Sequence, residues 1–207
     1  MKKKVIYFSL CLLIIHITGC VSLEKKYPDI DRYSISVNPF QQPSAFNGGG
    51  KVKVRTFDSV SLFADKTFVF RTGALNYEKD YYNQFILFPT TMITEEVKKW
   101  LSSVPQMITI IDRGSLIPAE FEITGKILEL YGDIHDKKNP KACLSLEFVV
   151  FDIRQIPAKA ILRKSYDEQI TLERLTIINL VEGWNIALRN IMHDFEIDLR
   201  KLLEERK

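Results

Sequence analysis

The sequence predicts an α/β domain of the α+β two-layer kind, with a mixed, largely antiparallel sheet covered on one face by two helices, the C-terminal one long. Three observations support this class. Short alternating segments and one helical pattern fill the first half, three longer alternating segments follow, and an amphipathic helix closes the chain. With 207 residues and 46% hydrophobic content, the chain has the size of one globular domain with short appendages.

The predicted strands are short in the first half and long in the second. Alternation of apolar and polar residues predicts strands over 33–37, 51–57, 68–71 and 107–111, and an extended segment over 77–88. Apolar residues at helical spacing predict a helix over 92–101. Segments 121–131, 142–153 and 160–166 are separated by polar turns and predict an antiparallel meander.

The C-terminal helix has the clearest pattern in the sequence. Its apolar residues are separated by three or four positions, which is the spacing of a helix face that packs on a core. The pattern predicts a helix of about 30 residues. The residues of this stripe are Ile177, Val181, Trp184, Leu188, Ile191, Phe195, Leu199 and Leu202.

The N-terminus has the features of a bacterial lipoprotein signal. Lys2 to Lys4 precede an apolar run over 5–17, which is too short to span a bilayer, where roughly 20 residues are needed. The run ends in Ile17-Thr18-Gly19-Cys20, an aliphatic residue and two small residues before a cysteine. We therefore predict a signal peptide over 1–19, a polar tether over 20–30 and a single periplasmic domain over 31–207.

Lipidation of Cys20 would anchor the mature chain to a membrane. The thiol would accept a diacylglyceryl group, and two or three acyl chains such as palmitate, at about 0.8 kcal/mol per buried CH₂, make a stable anchor. Val21 and Ser22 follow the cysteine. In enteric-type sorting an Asp there retains a lipoprotein at the inner membrane, so its absence favours the outer membrane, facing the periplasm.

Charge and cysteine content exclude several function classes. The full chain has a formal charge of +3, but removal of Lys2, Lys3 and Lys4 with the signal leaves 26 basic and 26 acidic side chains. A neutral chain has no general attraction for phosphate backbones, so we predict no nucleic-acid partner. Cys143 would be the one remaining thiol beside Cys20, which excludes an internal disulfide and a cysteine-rich zinc site.

Motifs for catalysis and for cofactors are absent from the sequence. It has no nucleophile elbow, HExxH, P-loop or GxGxxG, so we predict a protein that is not an enzyme and uses no cofactor. His135 lies between Asp133 and Asp136 in a predicted turn, but no second ligand cluster has suitable spacing, so we predict no metal site. His193 lies off the apolar stripe and is expected at the surface.

The segment over 68–88 is unusually aromatic and is the candidate interface with lipid or with a partner. Tyrosine and phenylalanine beside an arginine are typical of interface anchors. Burial tendencies instead favour the core for Phe68, Phe70 and Phe85. In a regular strand Tyr81 and Tyr82 point to opposite faces, so at most one is expected on any single face. The candidate interface residues are Phe70, Arg71, Tyr77, Tyr81, Tyr82 and Phe85.

Four features in order resemble one family, the ABC-type transport auxiliary lipoproteins, which include the paraquat-inducible protein C group. The family often has a Tyr-Arg pair where this chain has Phe70-Arg71, and it commonly has a Trp near Phe85 and a Pro pair near Pro89, where this sequence departs. The features are Ile17-Thr18-Gly19-Cys20, Phe70-Arg71, Tyr82-Asn83-Gln84-Phe85 with Pro89 and a helix ending in Trp100-Leu101, and the segment LVEGWNIAL over 180–188.

The resemblance implies a role rather than a reaction. Such lipoproteins are tethered to the outer membrane and work with an Mce-domain protein and often an ABC transporter to move phospholipids or other hydrophobic molecules. It therefore implies that an Mce-domain protein and ABC transporter components are partners; phospholipid and a second copy of the chain are further candidates. A structural or assembly lipoprotein of another outer-membrane machine, and a periplasmic hydrolase acting through His135 or His193, are the alternatives.

Overall fold

The computed structural model describes residues 29–38, 49–104, 108–112 and 114–205. Two helices and nine strands form in these ranges. The helices are α1 (Pro89–Ser103) and α2 (Ile177–Glu204). The strands are β1 (Asp31–Tyr33), β2 (Gly50–Val54), β3 (Asp58–Ser59), β4 (Thr67–Arg71), β5 (Tyr77–Phe85), β6 (Ile108–Ile110), β7 (Phe121–Asp133), β8 (Lys141–Asp152) and β9 (Lys159–Thr171).

The long strand β7 organises the sheet. Along one edge it pairs antiparallel with β8, which pairs antiparallel with β9, so the predicted meander is confirmed. Along its other edge β7 pairs in succession with β2, β3 and β4, all parallel. β6 pairs with β2, and β5 joins β4 to β1. The longest ladders are antiparallel and the shorter ones are mostly parallel, which confirms the mixed, largely antiparallel sheet.

Both helices pack on this sheet, and α2 forms the centre of the core. Trp184, Leu188, Ile191, Phe195 and Leu199 of the predicted stripe are buried, as the helical spacing predicts. The Phe195 ring stacks on Phe148 of β8 with centroids 4.0 Å apart. The indole Nε1 of Trp100 in α1 donates to Glu196 Oε2 of α2 at 2.8 Å, so the two helices are also joined to each other. The predicted fold class is confirmed.

The strand predicted over 33–37 is wrong beyond Tyr33. Ile35 and Val37 are buried in the core, which explains the alternating pattern, but the backbone of this segment bonds to helices and not to a strand. The N–H of Ser36 donates to Asn185 Oδ1 of α2 at 3.0 Å, and that of Val37 donates to Glu96 Oε2 of α1 at 2.9 Å. Because these backbone groups bond to helix side chains, the segment forms no sheet ladder.

Strand β2 also ends earlier than the sequence predicts. The predicted strand reaches Phe57, whereas the structure ends β2 at Val54. The Phe57 N–H donates to Thr94 Oγ1 of α1 at 2.9 Å, and its ring lies over Gly125 of β7. A Cβ added at Gly125 would lie 2.2 Å from that ring, so the close approach requires glycine there.

Candidate functional site

The β4–β5 hairpin carries the candidate interface residues and divides them between two faces of the sheet. In its register Phe70 pairs with Glu78 and Arg71 pairs with Tyr77. Because successive side chains of a strand point to opposite faces, Phe70 and Glu78 lie on the face that α2 covers, and Arg71 and Tyr77 lie on the other. The candidate residues therefore do not form one continuous surface.

A bulge interrupts the hairpin beside its two exposed tyrosines. Phe68 pairs with Asp80, whereas Thr67 pairs with Gln84, so residues 81–83 have no matching residues on β4. The carboxylate of Asp80 holds the bulge, since it accepts from the N–H of Tyr82 at 2.9 Å and from that of Asn83 at 3.2 Å. It also accepts from Asn83 Nδ2 at 2.7 Å. A short polar side chain thus fixes the irregular backbone.

An open pocket of about 500 Å³ lies between this bulge and the beginning of α2. Tyr81 and Tyr82, whose exposed fractions are 64% and 57%, both line it. The expectation that at most one of them belongs to a single face is wrong, because the bulge breaks the alternation. The other lining residues are Phe70, Thr72, Glu78, Lys79, Asp80, Ile134, Leu175, Thr176 and Ile177.

The pocket is predominantly apolar, and its two carboxylates outnumber its one ammonium group. The Glu78 carboxylate accepts from Thr72 Oγ1 at 3.1 Å. Lys79 Nζ lies 2.5 Å from Oδ2 of Asp65, a residue that does not line the pocket. This ion pair offsets the positive charge of Lys79. Glu78 and Asp80 thus give the pocket an acidic side next to two tyrosine rings.

On the opposite face, Arg71 belongs to a charged and aromatic cluster. Its guanidinium donates to the carboxylate of Asp133, and its Cζ lies 5.4 Å from the centroid of the Tyr131 ring. Tyr77 packs edge-on against Tyr131 with centroids 5.6 Å apart. Burial raises the pKa of Asp133, but hydrogen bonds from Arg71 and from the His135 N–H lower it further, so its pKa lies below the ordinary value. The cluster is an internal ion pair at the ends of β4 and β7.

Phe85 is a core residue, so its place in the candidate interface is wrong. It is 2% exposed and lies against Phe68 and Trp184, with ring centroids 4.5 and 5.4 Å away. The burial predicted for Phe68 and Phe85 is confirmed, whereas Phe70 is half-buried and lines the pocket. The interface candidates that remain exposed are Tyr77, Tyr81 and Tyr82.

The remaining sequence-predicted features are placed as follows. The signal peptide, the lipidation site Cys20 and most of the tether lie outside the described residues. Asp133, considered beside His135 as a metal ligand, is paired with Arg71, and His193 is exposed. Within the described ranges, no three His, Cys, Asp or Glu side chains are grouped to hold a metal ion, and no helix has the length and apolar character needed to cross a membrane.

Sequence reasoning missed the second half of the pocket. Leu175, the N-cap Thr176 and the first helical residue Ile177 lie at the N-terminal end of α2, far along the chain from the tyrosines. The Thr176 hydroxyl accepts from the Asn179 N–H at 3.1 Å, which is a recognisable helix cap. This cap indicates where α2 begins. It does not indicate which strand the helix end lies against, because no local sequence pattern specifies that contact.

No family model matches the chain, and no curated protein is similar to it in sequence. Solved structures do share its fold. The structure of protein XCC0632 from Xanthomonas campestris, assigned to the family model DUF330, has a TM-score of 0.75 at 9% identity, covering 85% of this chain and 98% of that one. An uncharacterized protein has a TM-score of 0.60 at 12% identity, over 81% and 99%. The hypothetical protein CT253 from Chlamydia trachomatis has a TM-score of 0.52 at 16% identity, covering 75% of this chain and 98% of that one.

Proposed function

We propose that this chain is an outer-membrane-anchored periplasmic lipoprotein that serves as a non-catalytic accessory component of an Mce/ABC-type lipid transport system. The anchor is supported by Ile17-Thr18-Gly19-Cys20 after a basic and apolar leader. The transport role is supported by the ordered motifs that resemble the auxiliary lipoproteins. The fold shared with the DUF330 structure is compatible with this role.

The observation that carries the accessory role is the exposed tyrosine bulge beside an apolar pocket. Tyr81 and Tyr82 are large, mostly exposed side chains on a hydrogen-bonded, fixed backbone. Exposed aromatic side chains that a monomer does not bury are typical of binding surfaces. Proteins that receive or dock a partner need such a preformed surface, because less ordering entropy is then lost on binding.

Around this pocket the charged groups have structural partners. Asp80 holds the bulge, Lys79 pairs with Asp65, and Glu78 accepts from Thr72. Neither a histidine nor a cysteine is among the residues that line the pocket. Carboxylates and lysine can also act as general acids or bases, but those of the lining, Glu78, Lys79 and Asp80, each bond to a structural partner. The lining therefore favours binding over a reaction.

Affinity purification from envelope membranes tests the proposal. The lipidated chain carrying a C-terminal tag should recover an Mce-domain protein or an ABC transporter component. Tyr82→Ser should reduce that recovery, whereas Leu116→Ser, which changes a fully exposed leucine outside the pocket, should not. Recovery of a barrel-assembly or secretion component instead would favour a structural lipoprotein of another machine.

A further inference from the structure

One side of β5 is only partly paired. β4 pairs with it on one side, and on the other β1 pairs with Asn83–Phe85 alone among the described residues. In that part of the structure no strand lies beside residues 77–82 on the outer side. Tyr77, Glu78, Tyr81 and Tyr82 are exposed there. Unpaired backbone N–H and C=O groups at such an edge are a template for another strand.

We propose that an extended, basic segment of a partner protein adds to this edge of β5 and places alternate apolar side chains in the adjoining pocket. The proposal rests on the accessory role proposed above and states the chemistry of the partner. Strand addition of this kind gains affinity from backbone hydrogen bonds and specificity from pockets for every second side chain. The edge and the pocket meet at residues 78–82, so one segment can use both.

Charge determines which segment fits. Glu78 lies on the pocket face of β5 and is exposed, with Thr72 as its hydrogen-bond donor. A residue on an added strand directly opposite Glu78 lies about 5 Å from it, on the same face. Lysine or arginine is favoured at that position and an acidic residue is disfavoured. Lys79 also lines the pocket, but its ammonium group is paired with Asp65.

The bulge limits the length of the added strand. Beyond Asp80 the backbone turns out of register, and Asp80 itself accepts from the N–H groups of Tyr82 and Asn83. A regular ladder therefore covers residues 77–80, and the next side chain of the segment meets the rings of Tyr81 and Tyr82. Because the nearby carboxylates disfavour an anionic phospholipid headgroup, a basic peptide fits this edge better than such a lipid.

Peptide binding to the soluble chain tests the proposal. The protein is the chain from residue 20 with Cys20→Ser, and the probe is a short fluorescent peptide with valine, lysine and valine at alternate positions, so that all three lie on one face, and threonine between them. Matched probes replace lysine with glutamate, or insert a central proline that removes a ladder hydrogen bond. We expect the lysine peptide to bind at least about tenfold more tightly than either matched probe, since tenfold corresponds to 1.4 kcal/mol.

Variants locate the binding. Glu78→Lys should weaken binding of the lysine peptide about tenfold and strengthen binding of the glutamate peptide. Glu204→Lys makes the same charge change at the far end of α2, about 40 Å along that helix from the pocket, and should leave both affinities unchanged. Tyr82→Ser should weaken binding, whereas Leu116→Ser should not. Amide hydrogen exchange at residues 77–80 should slow when the lysine peptide is bound.

Four results would overturn the proposal. Equal binding of the lysine peptide to the parent chain and to a folded Glu78→Lys variant would show that Glu78 does not face the segment. Tight binding with unchanged amide exchange at residues 77–80 would exclude strand addition. Copurified phospholipid, or a dimer abolished by Glu78→Lys, would assign the edge to lipid or to a second copy. Each leaves lipidation and recovery of transporter components intact, which separates this failure from that of the accessory role.

Discussion

The guanidinium of Arg71 donates a hydrogen bond to the carboxylate of Asp133, so the last residues of the parallel strands β4 and β7 form an ion pair. The pair is mostly shielded from water, with side-chain exposures of 31% for Arg71 and 12% for Asp133. Tyr131 lies against the guanidinium on the same face. Arg71, a candidate interface residue from its sequence context, is thus part of the framework that supports the hairpin.

Removal of either charge of this pair should destabilise the fold. We expect Asp133→Asn or Arg71→Gln to lower the free energy of unfolding by about 2 kcal/mol, because the remaining partner is left partly buried without its counter-charge. Urea unfolding measures the loss. Arg55→Gln, which breaks an exposed pair with Glu122, should cost less than about 0.5 kcal/mol. Equal losses for Arg71→Gln and Arg55→Gln would contradict the structural role of the pair.

Gly183 of α2 allows the helix to approach β8 closely. A Cβ there would lie 2.6 Å from the Ala142 Cβ and 2.9 Å from Leu172 Cδ2. Gly183→Ala should therefore lower the free energy of unfolding by about 1 to 3 kcal/mol, despite the higher helix propensity of alanine. Adding Ala142→Gly to this variant should restore part of the lost stability, because it removes one of the two clashing Cβ atoms. Gly49→Ala, with no atom within 4 Å of its Cβ, is the control and should be nearly neutral.

Asp152 should make stability depend on pH in the acid range. The hydrogen bonds from Arg154 hold the pKa of this buried carboxyl at about 2, below the ordinary 3.8. A lowered folded-state pKa contributes stability above pH 4 that is lost as the pH falls toward 2. Asp152→Asn should therefore lower the free energy of unfolding by about 1 to 2 kcal/mol at pH 6, and by progressively less toward pH 2. A cost that stays constant over this range would contradict the assignment.

Cys143 should be unreactive in the folded chain. It is 1% exposed, and burial raises the pKa of its thiol to about 11, so little thiolate forms at pH 8. In the chain from residue 20 with Cys20→Ser, a thiol reagent should label Cys143 in urea and not in buffer. An added Ser165→Cys, at an exposed position of β9, should be labelled at once in buffer. Rapid labelling of Cys143 in buffer would be inconsistent with this burial.

Periodic elements were predictable, and contacts distant in sequence were not. The stripe from Val181 to Leu199 follows from one buried helix face, and the alternation at the start of β7 follows from one buried sheet face, whereas β8 is buried on both faces. Ile35 and Val37 show the weakness of the same reasoning, because alternate burial between helices has the same pattern as a strand.

The site was predictable only in composition. The aromatic composition of the segment over 68–88 identified Tyr81 and Tyr82 as candidates. The bulge that places both at one pocket depends on a register shift against β4, which the sequence does not indicate. The partnership of Arg71 and Asp133 joins residues 62 positions apart. Strand register and the approach of α2 are set by the assembled sheet, so neither is encoded in a local pattern.

Metabolic labelling with radioactive palmitate tests the central claim, the membrane anchor at Cys20, most directly. The full chain and a Cys20→Ala variant would be expressed in a bacterial host and immunoprecipitated after labelling. We predict that the label appears on the full chain, which migrates as the processed form in the outer-membrane fraction, and is absent from Cys20→Ala. A full chain that carries no label, or that remains unprocessed in the cytosol, would contradict the account.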